Sequence, residues 1–194
     1  MKLTERQTEI VQQATLLIMD LGIQGLTMKN LAGRVGITEP ALYRHFESKQ
    51  DIILAILTSF QEDMQERLEL LLLKKRPAVE SCELLLRGQI DLLADNPALA
   101  AVVFSEEIFH HDERLRREVL TIMSNYHELI SSLIRLGQEQ GDIRKDVSQD
   151  SLALVLMGSL RVLVARWRIN GFRGDLKQQG ESLIETLKRL LLAP

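Results

Sequence analysis

The chain is 194 residues long, 45% apolar, 26% charged and 4% aromatic, with four prolines and eleven glycines, which excludes a disordered or linker-rich polypeptide. The 24 basic against 27 acidic side chains leave a net charge of −3, and the single cysteine, Cys82, excludes an intramolecular disulfide framework and any multi-cysteine zinc site. Six basic and five acidic groups fall in the first fifty residues, so a contact with nucleic acid has to come from the placement of a few side chains, because there is no basic stripe.

The opening residues, Met1 to Arg6, are polar and lack the apolar run of a secretory signal. The longest uncharged apolar stretch, Ser151 to Leu160, is interrupted by Arg161 and is too short to span a bilayer. The expectation is a soluble, cytoplasmic chain with no membrane partner. Its apolar periodicity predicts an all-α fold of nine helices. Ile10, Ala14, Leu17, Ile18 and Leu21 share one helical face in a run that Gly22 should end. Thr27 is placed to cap a short helix from Met28 to Val35, which Gly36 should stop in the left-handed conformation. Thr38 can cap the next helix, to Arg44 or His45, with Pro40 tolerated in its first turn. Ser48 then caps a long helix from Lys49 to about Leu73. Pro77 opens another that ends near Asn96, and Pro97 starts a short one reaching about Phe109. Asp112 should cap a long helix stopped by Gly141. Ser148 or Asp150 begins a strongly apolar helix through Arg168, and a last one spans Leu176 to Leu192, with Leu183, Leu187, Leu190 and Leu191 on one side.

The stretch from Met28 to His45 has the spacing of a helix-turn-helix. Ala32 is small where two helices must cross, and Ile37 and Leu42 are spaced to face a core. That leaves Thr38, Glu39, Ala41, Arg44 and His45 pointing elsewhere. A guanidinium can meet guanine, a carboxylate cytosine N4, and a methyl the thymine methyl, and about eight helical residues form a rod of roughly 12 Å that fits a major groove.

These residues carry a resemblance. Thr27 to Lys49, with the run Gly36-Ile37-Thr38, then Leu42-Tyr43-Arg44-His45-Phe46, then Ser48-Lys49, resembles the DNA-binding signature of TetR-type (TetR/AcrR) transcriptional regulators. The length and the motif's place near the amino terminus are similar as well. The resemblance implies a three-helix DNA-binding domain over residues 1–48 and a larger effector-binding and dimerisation domain over 49–194. It implies that Thr38 to His45 is the recognition helix, with Glu39, Ala41 and Arg44 at or near base edges and Pro40 in its first turn. Tyr43, His45 and Lys49 match positions that hold phosphates, and Thr27, capping the preceding helix, reaches one too. Many relatives have Gly or Thr at the place of Ala41 and Lys or Arg at that of Glu39, so the operator does not follow from the resemblance.

A single helix-turn-helix makes few contacts, and twofold symmetry doubles them on a palindromic operator in double-stranded DNA. Ser151 to Trp167 is apolar nearly all round, with Ala153, Gly158 and Ala165 allowing close approach, so the last two helices suit a homodimer. The resemblance places a small-molecule effector among the middle helices. Phe60, Met64, Phe104, Met123 and Met157 would supply part of a flexible apolar lining there. Gln89, Tyr126, His127, Arg161 and Trp167 are the polar-tipped groups available to fix a ligand. The function expected is a DNA-binding repressor released by a largely apolar effector, with no enzymatic activity and no cofactor. Cys82, in an apolar stretch, reads as an inert core thiol. Two alternatives stand beside it. Glu106, Glu107, His110 and His111 have helical metal-ligand spacing and would make a metal-responsive regulator. A nucleoid-occlusion factor of the same family shares the Ala41 to Phe46 stretch and would make the chain an effector-independent adaptor on DNA.

Overall fold

The computed structural model describes residues 3–72, 76–104 and 112–192. Among them are nine helices and one isolated antiparallel bridge, between Ile143 and Leu192. The helices are α1 (Glu5–Gly25), α2 (Met28–Val35), α3 (Glu39–Tyr43), α4 (Lys49–Leu72), α5 (Ala78–Asp95), α6 (Pro97–Val103), α7 (Glu113–Gln140), α8 (Gln149–Ile169) and α9 (Leu176–Leu191). None of them is long and apolar enough to cross a membrane. The chain divides into two compact units, Met1–Gln61 with Pro97–Leu120, and Glu62–Asn96 with Thr121–Pro194.

Most helix starts follow the predicted caps. The hydroxyls of Thr27, Thr38, Ser48 and Ser148 each accept a hydrogen bond from the backbone N–H three residues on, and Asp112 does the same for Arg114 and Leu115 at the start of α7. Besides α6, which ends at Val103 rather than near Phe109, three boundaries differ from expectation. First, α1 runs past Gly22, which sits at φ +69° and kinks the helix; one further turn to Gly25 follows. Second, α3 is a five-residue helix, because the Leu42 carbonyl already accepts from both His45 and Phe46 and tightens the last turn. Third, Pro77 offers α5 no side-chain cap, and the Ala78 N–H is met at 2.9 Å by the Asp142 carboxylate, 64 residues away.

In the first unit, Ile10, Ala14 and Ile18 of α1, Leu31 and Ala32 of α2, and Leu42 of α3 are buried, and α6 packs on α1. Arg34 ties α2 to α1 through Asp20 at 2.5 Å and Gln13 at 3.3 Å. In the second unit, α9 lies against α5 and α8. Its buried stripe is Leu176, Gly180, Ile184, Leu187 and Leu191, so Leu187 and Leu191 face inward as predicted while Leu183 is half-buried and Leu190 exposed. A ladder of ion pairs joins the outer edges of α5 and α9: Lys177 with Asp95 at 2.7 Å, Arg87 with Glu181, and Lys188 with Glu83 at 3.1 Å. Such surface pairs add little stability each, and their regular order fixes register.

Candidate nucleic-acid interface and effector region

The reading head is built by local rules. Gly36 takes φ +75°, ψ 32°, and both its own N–H and that of Ile37 return to the Ala32 carbonyl, which turns the chain sharply between α2 and α3. Thr38 then accepts from the Ala41 N–H at 3.3 Å and starts α3. Leu42 and Phe46 are driven into the core, which pins the helix by one side. The opposite side presents Thr38, Glu39, Pro40, Tyr43 and Arg44 to solvent, with Ala41 and His45 half-buried beside them. Thr27, also exposed, accepts from Asn30 N–H at 3.1 Å. This places a short rod bearing a carboxylate, a methyl, a phenol and a guanidinium next to two helix starts whose free N–H groups favour anions.

Two positioning contacts escaped the sequence reading. Gln7 closes a capping box with Thr4 at the start of α1, and its amide nitrogen donates to the His45 carbonyl at 3.1 Å, fixing the end of α3. Lys49, predicted as a phosphate ligand, donates at 2.8 Å to the Ile23 carbonyl near the end of α1. Its ammonium therefore serves the joint between α1 and α4, a favourable place for a cation beside a helix carboxy terminus. The S-T-N-type spacing that marks caps gave a signal for Gln7, since Thr4-x-x-Gln7 is a capping-box pattern; the bond to His45 left none.

The candidate effector residues fall in both units. Phe60 and Phe104 are buried in the first. In the second, Gln89, Tyr126 and Trp167 are buried, while Met64, His127, Met157 and Arg161 are half-buried. Met123 is 41% exposed. Trp167 is held by the chain itself. Its indole N–H donates at 3.2 Å to the Gly174 carbonyl and its ring stands edge-on to Phe172 at 4.9 Å, so its polar handle is used by the turn after α8. Cys82 is buried, its thiol pushed up to about 12 by burial and then by Asp142, which leaves it unreactive. Glu106, Glu107, His110 and His111 lie outside the described residues.

One face of α8 remains uncovered. Leu154, Val155, Val162 (60% exposed) and Ile169 (81% exposed) lie within an arc of about 100° that also holds Gly158 and Ala165, opposite the buried Leu152, Leu156, Leu160 and Trp167.

The model of the bacterial regulatory proteins, tetR family, matches residues 10–56, and that of the YsiA-like protein, C-terminal region, matches residues 51–192. The chain belongs to the TetR family. It is a DNA-binding transcriptional regulator and not an enzyme. Among its relatives, the nucleoid occlusion factor SlmA of Shewanella sediminis (strain HAW-EB3) is 27% identical over 179 residues, 92% of this chain and 88% of that one. Among solved structures, the fatty acid degradation regulator FadR from Bacillus halodurans superposes with a TM-score of 0.86 at 18% identity, over 97% of both chains. The regulator FadR from Bacillus subtilis, in complex with stearoyl-CoA, does so with 0.78 at 22% identity, over 95% of this chain and 98% of that one. Both likenesses establish the TetR fold for this regulator along its described length.

Proposed function

We propose that this regulator is a homodimeric repressor whose two recognition segments, Thr38 to His45, read a palindromic operator, and that an acyl-CoA bound within residues 49–194 releases it. Residues 1–48 form the reading domain. There Glu39, Ala41 and Arg44 meet base edges, while Tyr43, His45 and the first turns behind Thr27 and Thr38 hold phosphates. The single observation that carries the effector is a structural neighbour, alike over 95% of this chain, that holds stearoyl-CoA. The uncovered apolar arc of α8 supports a second copy of the chain as the dimer partner, since a patch of this kind on one subunit is otherwise a liability. The cytoplasm, where operators and acyl thioesters meet, is its place of action.

The mechanism follows from linkage. A ligand that prefers one spacing of the two reading heads shifts the equilibrium toward it, and a coupling of about 1–3 kcal/mol changes operator affinity about 5- to 150-fold. The test is an electrophoretic shift of the intergenic DNA beside the regulator's own gene, with and without acyl-CoAs of graded chain length. Binding of that fragment and its release by one range of chain lengths is the expected result. Binding that no acyl-CoA relieves refutes the effector assignment. A second reading, an adaptor that works from DNA without an effector, is favoured by the likeness to the nucleoid occlusion factor. Occupancy of dozens of scattered chromosomal sites, unresponsive to acyl-CoA, decides for it.

A further inference from the structure

The segment that presents the base-reading side chains is too short to hold its own direction. α3 has five residues, and a helix of little more than one turn gains too few internal hydrogen bonds to offset the cost of nucleating it. Its position is therefore set from outside. The Thr38 hydroxyl fixes its start, and Leu42 and Phe46 are buried along one side. Between those two anchors lie Tyr43 and Arg44, which are exposed, and His45, which is half-buried.

The far end of the segment is held by a side chain of α1. The last carbonyls of a helix have no partner within it. That of Leu42 accepts from the N–H groups of His45 and Phe46 at 2.9 and 3.1 Å. That of His45 accepts at 3.1 Å from Nε2 of Gln7, 38 residues earlier in the chain. The other end of the Gln7 amide is equally committed. Its Oε1 accepts from the Thr4 backbone N–H at 3.1 Å and from the Thr4 hydroxyl at 3.2 Å, and the Gln7 N–H donates to that hydroxyl at 3.2 Å. Reversing the amide would set its NH2 against the Thr4 N–H and its oxygen against the His45 carbonyl, donor to donor and acceptor to acceptor. One orientation alone satisfies both ends. A glutamate at this place would close the same capping box, but its carboxylate has no hydrogen to give the His45 carbonyl.

We propose that Gln7 is a positioning residue for operator recognition: bridging Thr4 and the His45 carbonyl, it fixes the peptide after His45 and so the direction from which Arg44 meets its base. The inference rests on the assignment of Thr38 to His45 as the recognition segment. A guanidinium reads guanine through two N–H groups aligned with one base edge, so its discrimination depends on angle. Phosphate contacts carry no sequence information and tolerate a shift more readily. Loosening the end of α3 therefore costs discrimination between bases more than it costs general affinity.

Fluorescence anisotropy of the full-length protein tests this, on the duplex that the wild-type protein selects from a random library and on variants of it changed at one base pair per half-site. The proteins compared are wild type, Gln7→Glu, Gln7→Met and Arg44→Ala. Gln7→Glu preserves the capping box and removes only the donor to His45, while Gln7→Met removes both bonds without adding charge. Each should reduce by about fivefold or more the preference among the four bases at the position that Arg44→Ala makes indifferent. The added carboxylate of Gln7→Glu weakens every duplex alike and cancels in that ratio. Combined with Arg44→Ala, neither change should alter the ratio further. A common loss on all duplexes with the preference intact, or unchanged binding, overturns the proposal, because a residue that only steadies α1 acts in that way. If Arg44→Ala itself leaves the preference intact, the recognition segment is misassigned and both readings fall. If Arg44→Ala abolishes the preference and the Gln7 variants keep it, the positioning role alone is lost.

Discussion

Replacing Arg44 by alanine tests the reading head most directly. Arg44 caps the carboxy end of α3 and is exposed, while the helix is held by Leu42 and Phe46 on its buried side. Truncation should therefore leave folding stability within about 0.5 kcal/mol of wild type. A guanidinium set against a guanine edge discriminates by about 1–3 kcal/mol. A homodimer on a palindrome loses that contact twice, so about 2–6 kcal/mol disappears, a weakening of about 30-fold to more than about 10,000-fold on the preferred operator. The loss should be confined to one base position per half-site, and the variant should bind the four bases there nearly alike. Tyr43→Phe removes a donor to phosphate and should weaken all DNA sequences by one common factor. Fluorescence anisotropy with the operator and its single-base variants, at about 50 and about 200 mM salt, separates the two patterns. Should Arg44→Ala lose the same factor whatever base is present, Arg44 holds a phosphate and the docking of α3 is wrong.

Gly33 within α2 and Gly36 just past its end should respond with opposite signs in urea denaturation. Gly33 is helical and uncrowded, so Gly33→Ala should stabilise by about 0.5–1 kcal/mol; Gly36, equally uncrowded but at φ +75°, should cost about 1–2 kcal/mol on the same change. Val162→Glu places a carboxylate on the apolar arc of α8, where a twofold axis would oppose it to its own copy. Light scattering should report a monomer with weakened operator binding, and a persistent dimer removes α8 from the interface. Glu83 is held below the usual carboxylate range chiefly by its hydrogen bond from Lys188, so its contribution is present above the ordinary carboxylate pKa and lost as pH falls through the lowered folded value. Glu83→Gln should accordingly flatten the acid side of the stability profile, which thermal melts between neutral and acid pH will report.

The helix-turn-helix was legible because its determinants are local. A cap hydroxyl speaks to an N–H three residues away, and a glycine at positive φ stops a helix whatever the rest of the chain does, so Thr27, Gly36 and Thr38 could be placed from spacing alone. Periodicity was less reliable where one residue carries no hydropathy signal. The leucines of α9 point to a stripe through Leu183 and Leu190, but the buried stripe runs through Gly180 and Ile184 and is rotated by about half the width of a helical face. Gly180 explains the shift: a methyl there would fall 2.7 Å from Ile90, so the backbone itself is the contact with α5. Contacts across long stretches of sequence were out of reach altogether. Asp142 capping α5, Gln7 bonding His45 and Lys49 bonding Ile23 each depend on a chain path that no short window encodes.

The same limit explains why the polar candidates of the effector region could be named but not ranked. Tyr126 and Trp167 are both large, buried and polar-tipped, and the pattern around them is equally apolar. What separates them is a carbonyl: Gly174 comes round to accept the indole N–H, seven residues on, because the turn after α8 folds back over the ring. No backbone or side chain does this for the Tyr126 hydroxyl or for the Gln89 oxygen. A polar atom that the fold satisfies is explained by the fold, and its removal should cost stability. An enclosed atom that the fold leaves unpaired is a burden on the ligand-free state, and its removal should relieve stability while costing recognition. Opposite signs for Trp167 and Tyr126 in that comparison therefore distinguish architecture from binding without knowledge of the ligand.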